Sequence, residues 1–331
     1  MTSREPTPRA PLRPETVPPD RRDGGADLLG TAVDVGGTHV TAATVDAGWR
    51  VRDEHRVPLD SAAPAAEVLD AVADCVRRTW AAGAATATGP VAVAIPGPFD
   101  YERGIGDFRG VDKFAALRGV DLRGELAARW GRAPVTVRFV NDAEAFGLGE
   151  WAAGAGSGAA RVVAVTLGTG VGSAFVDRGR CVTTGPLVPA DGNIHVVRVA
   201  GRPLEEVVSR RALRLTYRAG TGRDVDVVDI ARHARAGDVA AVRALEGAMR
   251  TLAGALAPWL TAFAPERLVV GGSMAASSDL LFPPLVAGLA AAMARPPEVR
   301  VGVLPRERAS LLGATVAARG AAEGSADGLV R

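Results

Sequence analysis

One design occurs twice in this chain, and it restricts the fold more than any other feature. Leu28 to Asp34 is an apolar run ending in an acidic residue; Gly36-Gly37-Thr38 follows, and β-compatible residues resume from Val40 to Val45. Arg161 to Leu167 repeats the apolar run, Gly168-Thr169-Gly170-Val171-Gly172 the turn, and Ala174 to Val176 the second strand. Glycine adopts backbone conformations closed to other residues, so such a turn lets N–H groups approach an anion closely, while threonine adds a hydroxyl donor. A single copy is as well explained by a plain hairpin. Two copies, one in each half, resemble an internal duplication and favour phosphate binding.

The segments between and after the turns alternate in character. Within Pro64 to Ala82, Ala66, Leu69, Val72, Ala73, Val76 and Trp80 recur at helical spacing. Pro90 to Ile95 reads as a strand broken by Pro96-Gly97-Pro98, Leu122 to Trp130 as a helix, Val135 to Val140 as a strand and Ala143 to Ala153 as a helix. In the second half, helices are expected over Gly201 to Leu215, Asp229 to Ala236, Val239 to Phe263, Leu280 to Met293 and Ala309 to Ala322, with a strand at Glu266 to Val270. The alternation predicts an α/β fold of two domains with ligands in the cleft between them, and 331 residues suffice for two cores. The expected units are residues 28–140, rejoined by a helix at 308–322, and 141–307.

Composition removes several function classes. Hydrophobic residues at 47% and charged residues at 23% fit a soluble globular protein. A net charge of +2 without a Lys/Arg block gives no basis for a nucleic-acid partner. Lys113 is the only lysine; every other basic side chain in that count is arginine. Cys75 and Cys181 form no metal or redox spacing and are expected as reduced thiols. Residues 1–27 are rich in Pro, Arg, Glu and Asp without an apolar core, which predicts a disordered tail rather than a signal peptide. No run approaches the ~18 apolar residues of a spanning helix, so no membrane partner and a cytoplasmic location are expected.

Asn141-Asp142 falls where a β-branched run gives way to helix, a position from which a carboxylate can act as general base on the contents of an adjoining cleft. Asp34, beside the first turn, can hold Mg²⁺ directly or through water, since that ion prefers oxygen ligands and retains hydration. The polar loop after Ile95 offers Asp100, Asp112 and Lys113 as substrate contacts, although each residue type is more often a solvated loop charge. Asp191-Gly192-Asn193-Ile194-His195 adds a polar cluster with one of four histidines. Glu205 and Glu206 open a helix, where acidic side chains also suit the macrodipole. Gly271-Gly272 at a strand end lets a flat ligand lie against backbone. Two phosphate cradles around one carboxylate predict a kinase acting on a hydroxyl.

Taken together the motifs resemble the ROK family of sugar kinases and repressors, within the actin-like ATPase superfamily. The residues that carry the resemblance are Asp34-Val35-Gly36-Gly37-Thr38, Pro96-Gly97-Pro98 with Asp100, and Asn141-Asp142-Ala143-Glu144-Ala145 with Gly149-Glu150. Leu167-Gly168-Thr169-Gly170-Val171-Gly172, Leu204-Glu205 with Val208-Ser209, and Gly271-Gly272 complete it, in family order from about Leu28 to Gly320. The resemblance implies two ribonuclease H-like domains closing over ATP and a sugar; Mg²⁺ is expected with the ATP, and the chain is expected as a homodimer. It implies Asp142 as the base acting on a sugar hydroxyl, usually that on C6, with Asn141, His195 and Glu205 hydrogen-bonding the sugar. Gly36, Gly37, Thr38, Gly168, Thr169 and Gly170 would hold phosphates, and Gly271 and Gly272 the adenosine side.

Three departures qualify that picture. The family's Glu-x-Gly-His is Gly192-Asn193-Ile194-His195 here, with Asp191 beside the missing glutamate. The Cys-rich zinc loop is absent, Gly201-Arg202-Pro203 standing in its place, so no structural zinc is expected. The sugar-contact segment reads Gly110-Val111-Asp112-Lys113-Phe114. An added acidic group suits an ammonium, which points away from plain glucose to an amino sugar such as kanosamine or glucosamine; the expected substrate is thus glucose, as in the family, or such an amino sugar, with a C7 cyclitol of secondary metabolism as the alternative. A family repressor would carry a helix-turn-helix before Leu28, and the Pro-rich segment there shows no helical periodicity. A non-catalytic sugar sensor is disfavoured by intact Asp34, Asp142 and both turns.

Overall fold

The computed structural model describes residues 28–83, 89–133 and 136–327, without the side chains of 321–327. The tail expected at 1–27 and the strand start expected at Val135 lie outside the described residues.

In the first half, β1 (Leu28–Val35) and β2 (His39–Asp46) pair antiparallel across the first Gly/Thr turn, and β3 (Val51–Pro58) adds to β2. Helix α1 (Ala65–Ala82) then crosses over to β4 (Val91–Ile95), which runs parallel to β1. A small hairpin of β5 (Phe99–Asp100) and β6 (Ile105–Gly106) precedes α2 (Leu122–Trp130), β7 (Val137–Asn141) and α3 (Asp142–Ala153). The sheet order is β3-β2-β1-β4-β7. β4 is Val-Ala-Val-Ala-Ile and buried along its length, the continuous apolar run of a strand covered on both faces. β3 escaped the sequence reading because Val-Arg-Asp-Glu-His-Arg-Val-Pro has no apolar run. It lies at the sheet edge, where charge discourages pairing with another chain. Helix α1 buries Val68, Leu69, Val72, Ala73 and Val76 on one face, each large aliphatic side chain contributing about 1.5–3 kcal/mol. Helix α2 starts where Asp121 accepts the Gly124 N–H and stops at Gly131, whose φ of 64° suits glycine.

The second half repeats the plan. β8 (Arg161–Leu167) and β9 (Val171–Asp177) flank the second turn, and β10 (Arg180–Cys181) joins β9. A short hairpin of β11 (Arg198–Val199) and β12 (Arg202–Pro203) leads into α4 (Glu205–Val208), α5 (Arg210–Thr221), α6 (Val227–Arg235) and α7 (Val239–Phe263). β13 (Arg267–Gly271), α8 (Ser278–Ala292), β14 (Glu298–Val301) and α9 (Arg306–Asp327) complete the chain. The order β10-β9-β8-β13-β14 matches the first sheet strand for strand in position and direction.

Two expectations need correction. The helix expected over Gly201 to Leu215 is broken at Ser209, which is extended (φ −71°, ψ 164°) and caps α5 by accepting the Ala212 N–H. By length and composition alone, Ser273–Ala292 could cross a bilayer, which the expectation of no such run overlooked. Leu281, Leu285 and Leu289, at helical spacing, are buried in the core that contains α7.

The two halves meet through α3 and α9. Gly147 of α3 lies on the side chains of Ala164 and Ala174 in the second sheet, while α9 packs on β1 and β4 of the first. Where the helices cross, a Cβ on Gly149 would overlap the Ala309 carbonyl, and one on Gly313 the Ala145 carbonyl. The crossing is therefore backbone against backbone. Glu150, fully buried, ties it to the approach to α9: its carboxylate accepts N–H groups from Ala155 (2.7 Å), Val303 (3.3 Å) and Leu304 (2.9 Å).

Candidate active site

The junction of β7 and α3 is held from both sides. Asn141 caps α3, its side-chain oxygen accepting the N–H groups of Ala143 (2.9 Å) and Glu144 (3.4 Å). Its amide donates to the Tyr101 hydroxyl at 2.8 Å, and that hydroxyl donates to the Ile95 carbonyl at 3.2 Å. Gly97 makes room for this pair, since a Cβ there would stand 3.2 Å from the Tyr101 oxygen. The cap is worth about 1 kcal/mol and fixes the direction in which Asp142 leaves the helix.

Asp142 is the first residue of α3, and its Oδ1 accepts the Ala143 N–H at 2.9 Å. Its other oxygen faces the Arg306 guanidinium at 3.6 Å, and 31% of the side chain is accessible. Burial pushes its carboxyl upward, with Arg306, the Ala143 N–H and Lys113 opposing. Asp34, 7% exposed, is pushed up to about 7, by burial first and by the charges of Asp142 and Glu307, against Arg306 and a Ser310 hydrogen bond. Glu144 also rises to about 7, through burial and then Asp142. Among the described residues no three His, Cys, Asp or Glu side chains come together as a metal-ligand set. Asp34 at the turn supplies one oxygen of the kind Mg²⁺ prefers, which fits an ion that keeps most of its water and takes its other ligands from phosphates.

The two turns differ in what surrounds them. In the first, the Gly36 N–H donates to the His39 carbonyl at 2.9 Å, and Thr38 Oγ1 lies 3.0 Å from His39 Nδ1. Lys113 lies across Gly37, its Nζ 3.1 Å from where a Cβ would stand. In the second, the Gly168 N–H donates to the Gly170 carbonyl at 3.0 Å, and Glu205 accepts the Val171 N–H at 2.9 Å. A Cβ on Gly172 would overlap Ala143, so this turn backs directly onto the residue after Asp142. Gly272 (φ 85°) lies against the Leu167 backbone and Gly271 against the Phe146 ring, while Ser273 Oγ sits 3.4 Å from a Cβ position on Gly168.

Asp34, Gly37, Lys113, Asp142, Gly172 and Arg306 are thus linked by direct or electrostatic contact. Other residues singled out from the sequence stand apart. Asp100 accepts the Arg103 N–H at 2.8 Å within a turn, Asp112 is exposed, and Asp191 is an exposed residue at φ 52°. His195 lies in the Ile194–Val196 turn, positioned by the Ile194 N–H donating to Ser173 Oγ and by that hydroxyl donating to the Gly192 carbonyl. The β11–β12 hairpin connects it to Glu205, with the Leu204 N–H donating to the Val197 carbonyl at 2.8 Å. Tyr101, Glu144, Arg306 and Ser310 were not singled out beforehand. Glu144 sat inside a quoted motif and Tyr101 directly follows Asp100 of another, but Arg306 and Ser310 reach the site from the far end of the chain.

Two similar α/β units, each with a Gly/Thr turn, meet beside Asp142, which is the plan of the actin-like ATPase fold. Comparison with known proteins agrees: the ROK family model matches residues 30–323, and the chain belongs to that family. A glucokinase of Thermotoga maritima is 34% identical over 218 residues, which is 59% of this chain and 67% of that protein. The ROK hexokinase of Thermus thermophilus superposes with a TM-score of 0.76 at 26% identity, over 89% of this chain and 99% of the other. A ROK family glucokinase of Streptomyces griseus, solved with glucose and AMPPNP, gives 0.67 at 25% identity, over 87% and 98%.

Proposed function

We propose that the chain transfers the γ-phosphoryl group of ATP to a hexose hydroxyl, the one on C6, with Asp142 as general base. The observation that carries this is a carboxylate with its own oxygens unpaired to any lysine or arginine closer than 3.6 Å, set between two Gly/Thr turns. Phosphoryl transfer asks chiefly for positioning and charge neutralisation, with an acceptor for the hydroxyl proton. Mg²⁺ on Asp34, through water, would neutralise charge on the phosphates. Asn141, His195 and Glu205 would orient the sugar, and the backbone of Gly36, Gly37, Gly168 and Gly170 would hold phosphates with Thr38 and Thr169. Gly271 and Gly272 would receive the adenosine. The glucokinase relatives and the AMPPNP complex support ATP as donor and glucose as one acceptor. An amino hexose such as kanosamine or glucosamine is the other acceptor to be tested, although Asp112 and Asp191, the acidic side chains that suggested it, are both exposed and stand apart from Asp142.

The test is ADP release with ATP, Mg²⁺ and a panel of glucose, glucosamine, kanosamine and cyclitols. Turnover of none of them would sink the proposal. Asp142→Asn should lower kcat by about 10³-fold or more while ATP still binds, and a variant that keeps most of its rate would remove Asp142 from the role of base.

A further inference from the structure

We propose that Lys113 is a further catalytic residue, whose ammonium grips the γ-phosphate of the nucleoside triphosphate over the first Gly/Thr turn. This rests on the kinase function proposed above. Lys113 is the only lysine of the chain, and its Nζ and Cε both come within 3.1 Å of the Cβ position on Gly37. Among the described residues its ammonium forms no ion pair within 4.0 Å, yet it acts electrostatically on Asp142. A cation that lies against the phosphate turn, and whose charge also reaches Asp142, is within reach of an anion held on that turn.

The backbone is built to aim it there. Phe114, the next residue, is fully buried and held at φ 62°, ψ 21°, a conformation that costs a bulky residue free energy. Its N–H donates to the Ser61 carbonyl at 2.8 Å, and its ring packs 5.4 Å from that of Phe108. Anchored on one side, the turn projects Lys113 over Gly37. A lysine suits the task because its ammonium acts as a compact, strongly hydrated point charge that follows a moving phosphate, whereas arginine favours a fixed bidentate geometry.

The sugar hydroxyl oxygen forms a bond to the γ-phosphorus, and the bond from that phosphorus to the β–γ bridging oxygen breaks. ADP departs with the electron pair, and the hydroxyl proton passes to the Asp142 carboxylate. Lys113 gives up no bond in this step, and its positive charge stabilises the phosphoryl oxygens as they pass from donor to acceptor.

Lys113→Met in the full chain tests the assignment, with titrations of ADP and AMPPNP in Mg²⁺ and no sugar. The expected result is AMPPNP affinity lowered by about ten- to a hundredfold with ADP affinity unchanged, and kcat lowered by about 10²–10³-fold with the sugar KM unchanged. Lys113→Arg should restore part of the AMPPNP affinity. Equal weakening of both nucleotides, a rise confined to the sugar KM, or no change would overturn the proposal. So would a wild-type chain that binds AMPPNP no more tightly than ADP. If no sugar is turned over but Lys113→Met still erases a preference for AMPPNP, the kinase function fails and the phosphate contact stands.

Discussion

Helices α3 and α9 occupy corresponding places in the two halves, each following the last strand of its sheet, yet their first turns carry opposite charge. Asp142 opens α3, and Arg306 opens α9. The duplicated topology brings these ends face to face, 3.6 Å apart, with Asp34 close enough to feel both. The turns differ in the same sense. Asp34 precedes the first turn, whereas the corresponding position before the second holds Thr166, packed beside Gly172. Duplication supplied two equivalent frameworks, and the chemistry comes from making them unequal. One half carries Asp34, Asp142 and Glu144; the other contributes Arg306 to balance them, with Glu307 beside it, and a turn that has no carboxylate of its own but offers the Val171 N–H to Glu205.

The crossing of α3 and α9 is the part that stayed symmetrical. Gly149→Val and Gly313→Val each put a branched side chain where two backbones touch, so each should destabilise the fold by about 3 kcal/mol or more. Because the crossing is reciprocal, both should lower the urea midpoint by similar amounts. Tolerance of one and not the other would mean that the two halves meet asymmetrically.

The next effect isolates the unequal part. The carboxyl of Asp34 lies at about 7 in the folded chain against 3.8 for the unperturbed group. Folding therefore favours its protonated form, and that stabilisation is complete below 3.8 and is lost as pH rises through about 7. In metal-free buffer Asp34→Asn should match the wild type at acid pH and exceed it at pH 8, by on the order of 2 kcal/mol after the neighbours readjust. Mg²⁺ should restore wild-type melting at pH 8 and leave the variant unmoved. Substituting Thr166, its counterpart, should produce no such pH dependence. A wild-type chain whose melting is flat across this range would show that Asp34 is not held charged against burial.

These contrasts mark what the sequence discloses. Apolar strands such as Val91–Ile95 and the Gly/Thr turns are local patterns, and the end of β7 at Asn141 follows from a β-branched run meeting a helix cap. β3 and β14 were not legible, because edge strands built from Arg, Asp and Glu carry no apolar period. Ser209 reads as part of a helix until its capping bond shows it ending one helix and starting another. Glu150 stood in a quoted motif, but only the fold reveals that its carboxylate serves backbone N–H groups around Ala155 and Leu304. Arg306 left no signal at all: an exposed-looking arginine in Pro-Arg-Glu-Arg becomes part of the site only when the second half folds back on the first.

Arg306 also gives the smallest and most specific effect. Its guanidinium lowers the carboxyl of Asp142 against the larger upward push of burial, and a base must be deprotonated to accept a proton. Activity should therefore rise with pH through the ionisation of Asp142. Arg306→Met removes the opposing charge, so the acid limb of the kcat profile should move to higher pH while the plateau stays in place. The side chain is 67% exposed and screened by solvent, which limits the change near neutral pH to about two- to fivefold. Raising the salt concentration should shrink the difference between wild type and variant, because exposed charges are screened within about 10 Å at 0.1 M. A limb that moves to lower pH, or a plateau that falls with no movement of the limb, would mean that Arg306 meets the phosphates rather than the base. The unequal ends of α3 and α9 would then serve different partners instead of one another.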